Sequence, residues 1–466
     1  MPYSLGFNAR FVIGGLCLSL LASSGRGADA FRLSNGGLVA DFDASGLVRI
    51  ALANSSHSFS LAGDSAALTL SGETLNVRDL ERVGITQRQD RIAYTYASGD
   101  KQLEVIYELK PGWRFVSKHL VLTLPPKANL RVETVEALRV EIGTPIAREH
   151  RAGNASGAVF LRLGGTDAPP DFGACLVQQN PFLKWQRQGT QVAMSYAPDL
   201  EWRFAYGPFV SDRVCLGLYP LTGIELPAHN LPEWRYLPEP ERALDGKPTL
   251  DHAEIDAMTG CVDAFALSRP AKSLRVHVPW CENDYQIDVA TSAGRAQWKR
   301  ILDQCAAVGV EHALFTPANS GVAPLEDNAD AWGWENCLWL GLGQKIRKGE
   351  WDIAKDPIPQ SIQEMLDDAR AKKVKLIAYV YPTLGWRQNP EWTAWCDGKT
   401  GGYVGVDTGV RSFQDWFVEQ LVAFQQRTGI GGYSFDHWWI AYEPTKEGHQ
   451  PTSKYAQWFG CRRILE

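Results

Sequence analysis

The run GGYSFDHWW (residues 431–439) puts one carboxylate, Asp436, at the end of an apolar stretch and follows it with His437, Trp438 and Trp439. Three earlier apolar stretches close on comparable material. The first ends in Trp280, Glu282 and Asp284, the second in Asn319, and the third in Tyr381 and Trp386. Together they hold carboxylates and aromatic rings, with no metal-ligating cluster and no Ser–His pattern for nucleophilic attack. Cleavage of a glycosidic bond asks for that inventory: two carboxylates flanking the bond, on a surface that grips sugar rings.

Asp436 is the strongest candidate for the chemistry, as a nucleophile. Gly429-Ile430-Gly431-Gly432 lets the chain turn in tightly before its strand, and the aromatic cluster follows at once. An Asp at a strand-to-helix junction also serves as a cap, and that use stays open. Trp280, Asp284, Asn319, Tyr381, Trp386, Trp438 and Trp439 are the expected substrate-binding residues. Of Asp284 and Glu282, one is expected on substrate hydroxyls and the other in solvent. Asp407 reads as a capping or loop-bracing residue. His437 either orients Asp436 or is a packed, hydrogen-bonded histidine. Trp332, Trp334 and Trp339 form a sugar platform or pack their long loop, and the sequence leaves both open.

These residues need elements to position them. Beyond Ala266–Ser273, the candidate boundary, strand, loop and helix repeat four times. The strands are Leu274–Trp280, His312–Ala318, Lys375–Pro382 and Gly431–Trp439. The helices are Gly294–Val308, Pro359–Lys373, Ser412–Thr428 and one that begins at Thr452 and runs to Glu466. Alternation of this kind means a parallel sheet, and near-continuous apolar strands mean burial on both faces. The first strand runs into PWCENDYQID rather than a Gly-rich phosphate turn, which argues against a doubly wound sheet. Chemistry-bearing residues at every strand end are expected at the C-terminal face of a barrel. Four units make the first half of a (β/α)8 barrel, so the sequence predicts that further units follow residue 466.

From Phe31 to about Phe265 the pattern is β. RIAYTYA and KQLEVIYEL alternate about Ser98-Gly99-Asp100 as a hairpin, and FVSKHLVLTL, FGACLVQQ, TQVAMSYA and VCLGLYPL continue as strands. Residues 31–270 are therefore read as a large, supersandwich-like β-sandwich, with room for a short helix near its end, and residues 271–466 as the partial barrel. Arg10, the apolar run Phe11–Leu21 and the small-x-small triplet Ala28–Ala30 make residues 1–30 an export signal, placing the protein in the periplasm or outside the cell.

The rest of the composition excludes more than it assigns. With 466 residues, more than one core is expected. A net charge of -6 leaves no basic footprint for nucleic acid, and no segment has transmembrane length. Thirteen of the 17 Trp lie between Trp280 and Trp458; most read as core, and those clustered beside glycine and acidic residues are candidates to stack on sugar rings. Cysteines 175, 215, 261, 281, 305, 337, 396 and 461 show no zinc spacing, and nothing calls for a cofactor.

VPWCENDYQID and GIGGYSFDHWW resemble the α-galactosidase clan of glycoside hydrolases, in its melibiase and raffinose-synthase branch. The resemblance implies a large N-terminal sandwich on a (β/α)8 barrel, a retaining mechanism and a strand-four nucleophile at Asp436. It implies a Trp on the sugar pocket at Trp280, and an acid/base Asp from a later strand, beyond Glu466. One departure stands out. The family's Lys two residues before the nucleophile is Ser434 here, which puts galactose specificity in doubt. An α-glucosidase-like barrel enzyme, a transglycosidase and a non-catalytic carbohydrate-binding protein are the alternatives.

Overall fold

The computed structural model describes residues 30–151, 157–165, 170–227, 249–265, 274–277, 292–315, 352, 355–358, 360–380, 384–386, 395, 403–435 and 452–466. The strands run β1 (Phe31–Ser34), β2 (Leu38–Asp43), β3 (Gly46–Leu52), β4 (Ser58–Leu70), β5 (Glu73–Asn76), β6 (Glu81–Gln87), β7 (Arg91–Ser98), β8 (Lys101–Glu108) and β9 (Phe115–Thr123). They continue with β10 (Asn129–Ile142), β11 (Ile146–Arg151), β12 (Ala158–Leu163), β13 (Phe172–Gln178), β14 (Lys184–Gln188), β15 (Gln191–Tyr196), β16 (Leu200–Arg203), β17 (Phe209–Val210) and β18 (Val214–Pro220).

These strands make two nine-stranded antiparallel sheets. One has the order β1-β2-β3-β4-β10-β15-β14, with β5 on β4 and β16 on β10. The other has the order β11-β12-β13-β18-β9-β8-β7-β6, with β17 on β9. One continuous core joins them: Leu38, Leu68, Val135 and Met194 of the first sheet share it with Leu103, Leu120, Leu161 and Leu216 of the second. The architecture is a β-sandwich, as the sequence predicts. Alternation in RIAYTYA and KQLEVIYEL becomes the β7–β8 hairpin, Ser98 opposite Lys101, which fixes the register of both strands.

A small hairpin of β19 (Glu225–Pro227) and β20 (Thr249–Asp251) leads into helix α1 (His252–Ala264). Asp251 starts the helix through a reciprocal capping box with Glu254. Glu254 is fully buried, where it accepts hydrogen bonds from the Arg162 guanidinium at 3.1 Å and meets His150 Nε2 at 2.9 Å. Arg162 also donates to Glu225 at 2.6 Å. This cluster ties α1 to the second sheet, and the short helix anticipated from the sequence is therefore anchored.

Further along, β21 (Val276–His277), β22 (His312–Phe315), β23 (Lys375–Val380) and β26 (Gly432–Phe435) form a four-stranded parallel sheet in sequential order. Helices α2 (Ser292–Ala307), α3 (Gln360–Ala371) and α4 (Arg411–Thr428) lie in the connections, and α5 (Lys454–Leu465) comes last. A second antiparallel pair, β24 (Leu384–Trp386) with β25 (Tyr403–Gly405), stands in the β23–α4 connection; the sequence reading has no such pair. The core of this part sets Trp298 and Leu302 of α2, Leu366 of α3 and Phe413, Phe417, Leu421 and Phe424 of α4 against Leu314, Leu376 and Ala378. The α4 residues recur at helical spacing, so one stripe of the helix is apolar. The reading of strands buried on both faces needs correction at β21. It pairs only with β22 among the described residues, and Val276 is 43% exposed, as expected of an edge.

Candidate functional site

The four parallel strands are in register. His277 lies opposite Ala313, Phe315 opposite Ala378, and Val380 opposite Phe435. The entry to β26 depends on its glycines. Gly429 ends α4 in the left-handed conformation at φ 70°, its N–H donating to Gln425 O at 2.8 Å. Gly431 lies so close to β22 and β23 that a Cβ there would fall 2.6 Å from the His312 ring. The tight turn read from Gly429 to Gly432 is present.

Side chains of β26 then alternate. Tyr433 and Phe435 stack at 6.0 Å on one face, and the Tyr433 hydroxyl donates to Leu421 O of α4 at 2.6 Å. That face is packed against the helices. Ser434, opposite Tyr379 in the register, belongs to the other face.

Asp436 follows Phe435 and lies outside the described residues, as do Trp280, Glu282, Asp284, Asn319, Tyr381, His437, Trp438 and Trp439. Trp332, Trp334, Trp339, residues 1–29 and the boundary 266–273 lie outside them too. Trp386 is the last residue of β24, opposite Tyr403. No group of His, Cys, Asp or Glu among the described residues could hold a metal ion, and no helix there is long and apolar enough to cross a membrane.

Behind the strand ends, Asp407 braces loops as the sequence suggested. Only 5% exposed, its carboxylate accepts from the backbone of Gly409 at 2.9 Å and of Thr452 at 2.7 Å, and from the Thr452 hydroxyl. The loop before α4 is thereby tied to the loop before α5. Gln414 Nε2 donates to Thr408 O at 2.8 Å, and Thr408 Oγ1 donates to Gln457 O at 3.1 Å, closing the same joint.

One polar cluster has no counterpart in the sequence reading. Asp212, beside β18 of the sandwich, accepts from Tyr455 at 2.7 Å, Arg462 at 2.9 Å and Asn180 at 2.8 Å. Burial raises its carboxyl above the ordinary range, partly offset by Tyr455 and Arg462. Ser453, the N-cap of α5, also donates to Pro198 O. Residues some 250 positions apart carry no periodic signal that would join them. The cluster seats α5, and with it the joint at Asp407, on the sandwich.

No family model matches the sequence, and no curated protein matches it. Solved structures do. A variant of the GH36 α-galactosidase AgaA from Geobacillus stearothermophilus, bound to 1-deoxygalactonojirimycin, superposes with a TM-score of 0.53 at 11% identity, over 94% of this chain and 70% of that one. The α-galactosidase from Lactobacillus brevis gives 0.53 at 10%, over 94% and 67%. The galactosidase domain of the α-galactosidase-sucrose kinase AgaSK gives 0.53 at 10%, over 94% and 69%. The chain has an α-galactosidase-like glycoside hydrolase fold. At this identity the likeness is one of fold, and the α-galactosidase-like chain must be assigned its chemistry from its own residues.

Proposed function

We propose that this chain carries the sandwich and the first four units of the (β/α)8 barrel of an exported, retaining glycoside hydrolase, with Asp436 as nucleophile. The observation that carries the reading is the likeness to GH36 α-galactosidases over 94% of the chain, which spans the sandwich and the parallel strands together. Two features support the barrel. The parallel strands keep sequential order without the reversal that marks a doubly wound sheet. Helices fill the connections and cover one face of β26.

The alternation of β26, continued in the sequence by one residue, supports a place for Asp436 on the face of Ser434. In a barrel that face is the interior, and its C-terminal end is where active sites stand. Tyr381 and Asp436 are the residues that follow the register partners Val380 and Phe435, which favours their facing one substrate. In the reaction the Asp436 carboxylate attacks the anomeric carbon as the bond to the leaving oxygen breaks. That oxygen takes a proton from a second carboxylic acid about 5–5.5 Å away. Water then attacks the same carbon, gives its proton to that acid/base residue and frees the sugar.

Variants of the Geobacillus enzyme bind raffinose and stachyose, so α-linked oligosaccharides are the first substrates to try. Ser434 puts galactose specificity in doubt, so α-glucosides are to be tried beside them. Asp436→Asn keeps the shape of the side chain and removes the nucleophile. In a protein extended by the remaining barrel units, which supply the acid/base, turnover should fall by several orders of magnitude with little change in melting temperature, and a 2-fluoro-glycoside trap should label the wild-type peptide that contains Asp436. Undiminished turnover, or labelling of Asp284 or Asp407, would overturn the assignment.

A further inference from the structure

An open cleft of about 510 Å³ lies between the sandwich and the start of α4 and α5, a volume typical of small-molecule sites. Its floor is aromatic. Trp202 stands edge-on to Tyr206 at 5.7 Å and to Phe459 at 6.1 Å. The indole N–H of Trp202 is already spent on Gly207 O at 2.9 Å, so its contribution to the cleft is carbon surface. The Arg411 guanidinium lies over the Tyr206 ring, 4.8 Å from its centroid.

The rim is charged but balanced. Arg131 donates to Asp199, and Arg203 lies 3.7 Å from Glu201, all four side chains about half exposed. Arg411 Nε lies 3.3 Å from Asp415, yet the approach is out of line and this buried N–H makes no hydrogen bond. Every cation thus has a carboxylate beside it, and the lining favours neither an anion nor a cation. What it offers is partly exposed aromatic carbon, at Tyr206 and Phe459, with donors and acceptors placed side by side. That combination suits a neutral ligand with apolar faces and many hydroxyls, each able to donate and accept.

We propose that this cleft is a carbohydrate-binding subsite, distinct from the strand ends, that takes neutral hexose units of an oligosaccharide. It is formed jointly by β10 and β16 of the sandwich and by the loops that Asp407 ties together, so it exists only while α5 is seated. The start of α4 belongs to the same end of the parallel sheet as the strand C-termini, because a crossover helix runs back along the strand before it. The choice of sugar rests on the glycosidase reading; the cleft itself does not.

Calorimetric titration of the full chain with stachyose tests the proposal, using Asp436→Asn to stop turnover. Adding Tyr206→Ala or Arg411→Ala should weaken stachyose binding about tenfold, the loss of one anchor contact. Tyr206→Ala disturbs packing around Trp202, so Arg203→Ala, on the exposed rim, is the control that keeps the fold; a drop in affinity there too is expected. Affinity unchanged in all three, or no measurable stachyose binding, overturns the subsite. The two proposals fail separately: unchanged stachyose affinity in the cleft variants removes the subsite, whereas cleft-dependent binding by a protein that carries the remaining barrel units yet hydrolyses no glycoside removes the glycosidase reading.

Discussion

Two buried carboxylates, one inside the sandwich and one at its seam with α5, are built from similar parts and do different work. Asp64 of β4 accepts from Lys118 Nζ at 2.6 Å, Tyr107 at 2.6 Å and Leu47 N at 3.0 Å. Lys118 is wholly buried and makes its second bond to Ser65 O at 2.8 Å. Asp212 likewise has a cation, a tyrosine and a further donor, but two of them come from α5, and Arg462 is 28% exposed. The first set joins the two sheets and is completed when the sandwich closes. The second is completed only when a helix from the far end of the chain docks. A buried charge inside one core is an all-or-none element of stability, whereas the same chemistry at a seam is a latch.

The hardest way to break this comparison is Lys118→Met. It takes the ammonium away from Asp64 between the sheets, leaving only Tyr107 and Leu47 N to donate to the carboxylate, and removing one partner of a buried pair costs about 3–5 kcal/mol. Urea unfolding should show the loss, with the β-sheet signal and the tertiary signal shifting together. A loss below about 1 kcal/mol would mean that water reaches Asp64 and that the two carboxylates are not different in kind.

A subtler break is Gly460→Ala in α5. A Cβ there would collide with the Thr408 carbonyl and the Gln414 amide, so the helix cannot seat without moving the joint at Asp407. The expected cost is about 1–3 kcal/mol, the usual scale of forced overpacking. It should be local. Hydrogen exchange in α5 should accelerate while β9 keeps its protection; equal acceleration in both would show that seam and sandwich open as one unit.

The same contrast explains what the sequence could and could not tell. Short-period signals were legible. Alternation gave the β7–β8 hairpin, apolar spacing gave α2, α3 and α4 to within a few residues, and the glycines before Gly432 announced a tight entry. Asp407 could be read as a bracing residue because its bond from Gly409 N is local, whereas the bonds from Thr452, 45 positions on, were not legible. Lys118 could not be read as buried. In FVSKHLVLTL a lysine looks like a solvent-face residue, and only Asp64, paired to it across the sandwich, makes burial tolerable. Asp212 and Tyr455 were invisible for the same reason at greater range. As for the candidate site, β26 and its glycines are where the sequence puts them, Trp386 falls on an unforeseen hairpin, and Asp436 stays an assignment from strand order and period.

The smallest expected effect lies between the two carboxylates and sharpens the comparison through pH. His119 follows Lys118 on β9, and its Nδ1 faces Arg213 at 3.1 Å, the residue after Asp212. Burial, reinforced by the positive charges of Arg213, Arg91 and Lys110, pushes its imidazole down to about 3. The unfolded chain takes up a proton near pH 6.5 and the folded chain does not, so stability falls as pH drops from about 6.5 towards 3, by about 1.4 kcal/mol per unit. Asp212 has the opposite sign. Its folded value is raised, so its contribution is fully present below the unfolded value and is lost as pH rises through the folded one. Acidification should therefore loosen the sandwich while the latch at the seam holds. His119→Gln, which can still accept from Arg213, should remove about 1 kcal/mol of the stability lost between pH 6.5 and 5.5, where the slope has not yet reached its full value, measured from urea midpoints. Protection of α5 against hydrogen exchange, relative to that of β9, should rise over the same interval. An unchanged acid slope in His119→Gln would mean that the imidazole is protonated in the folded chain, and that the ground between the two carboxylates is wetter than its burial implies.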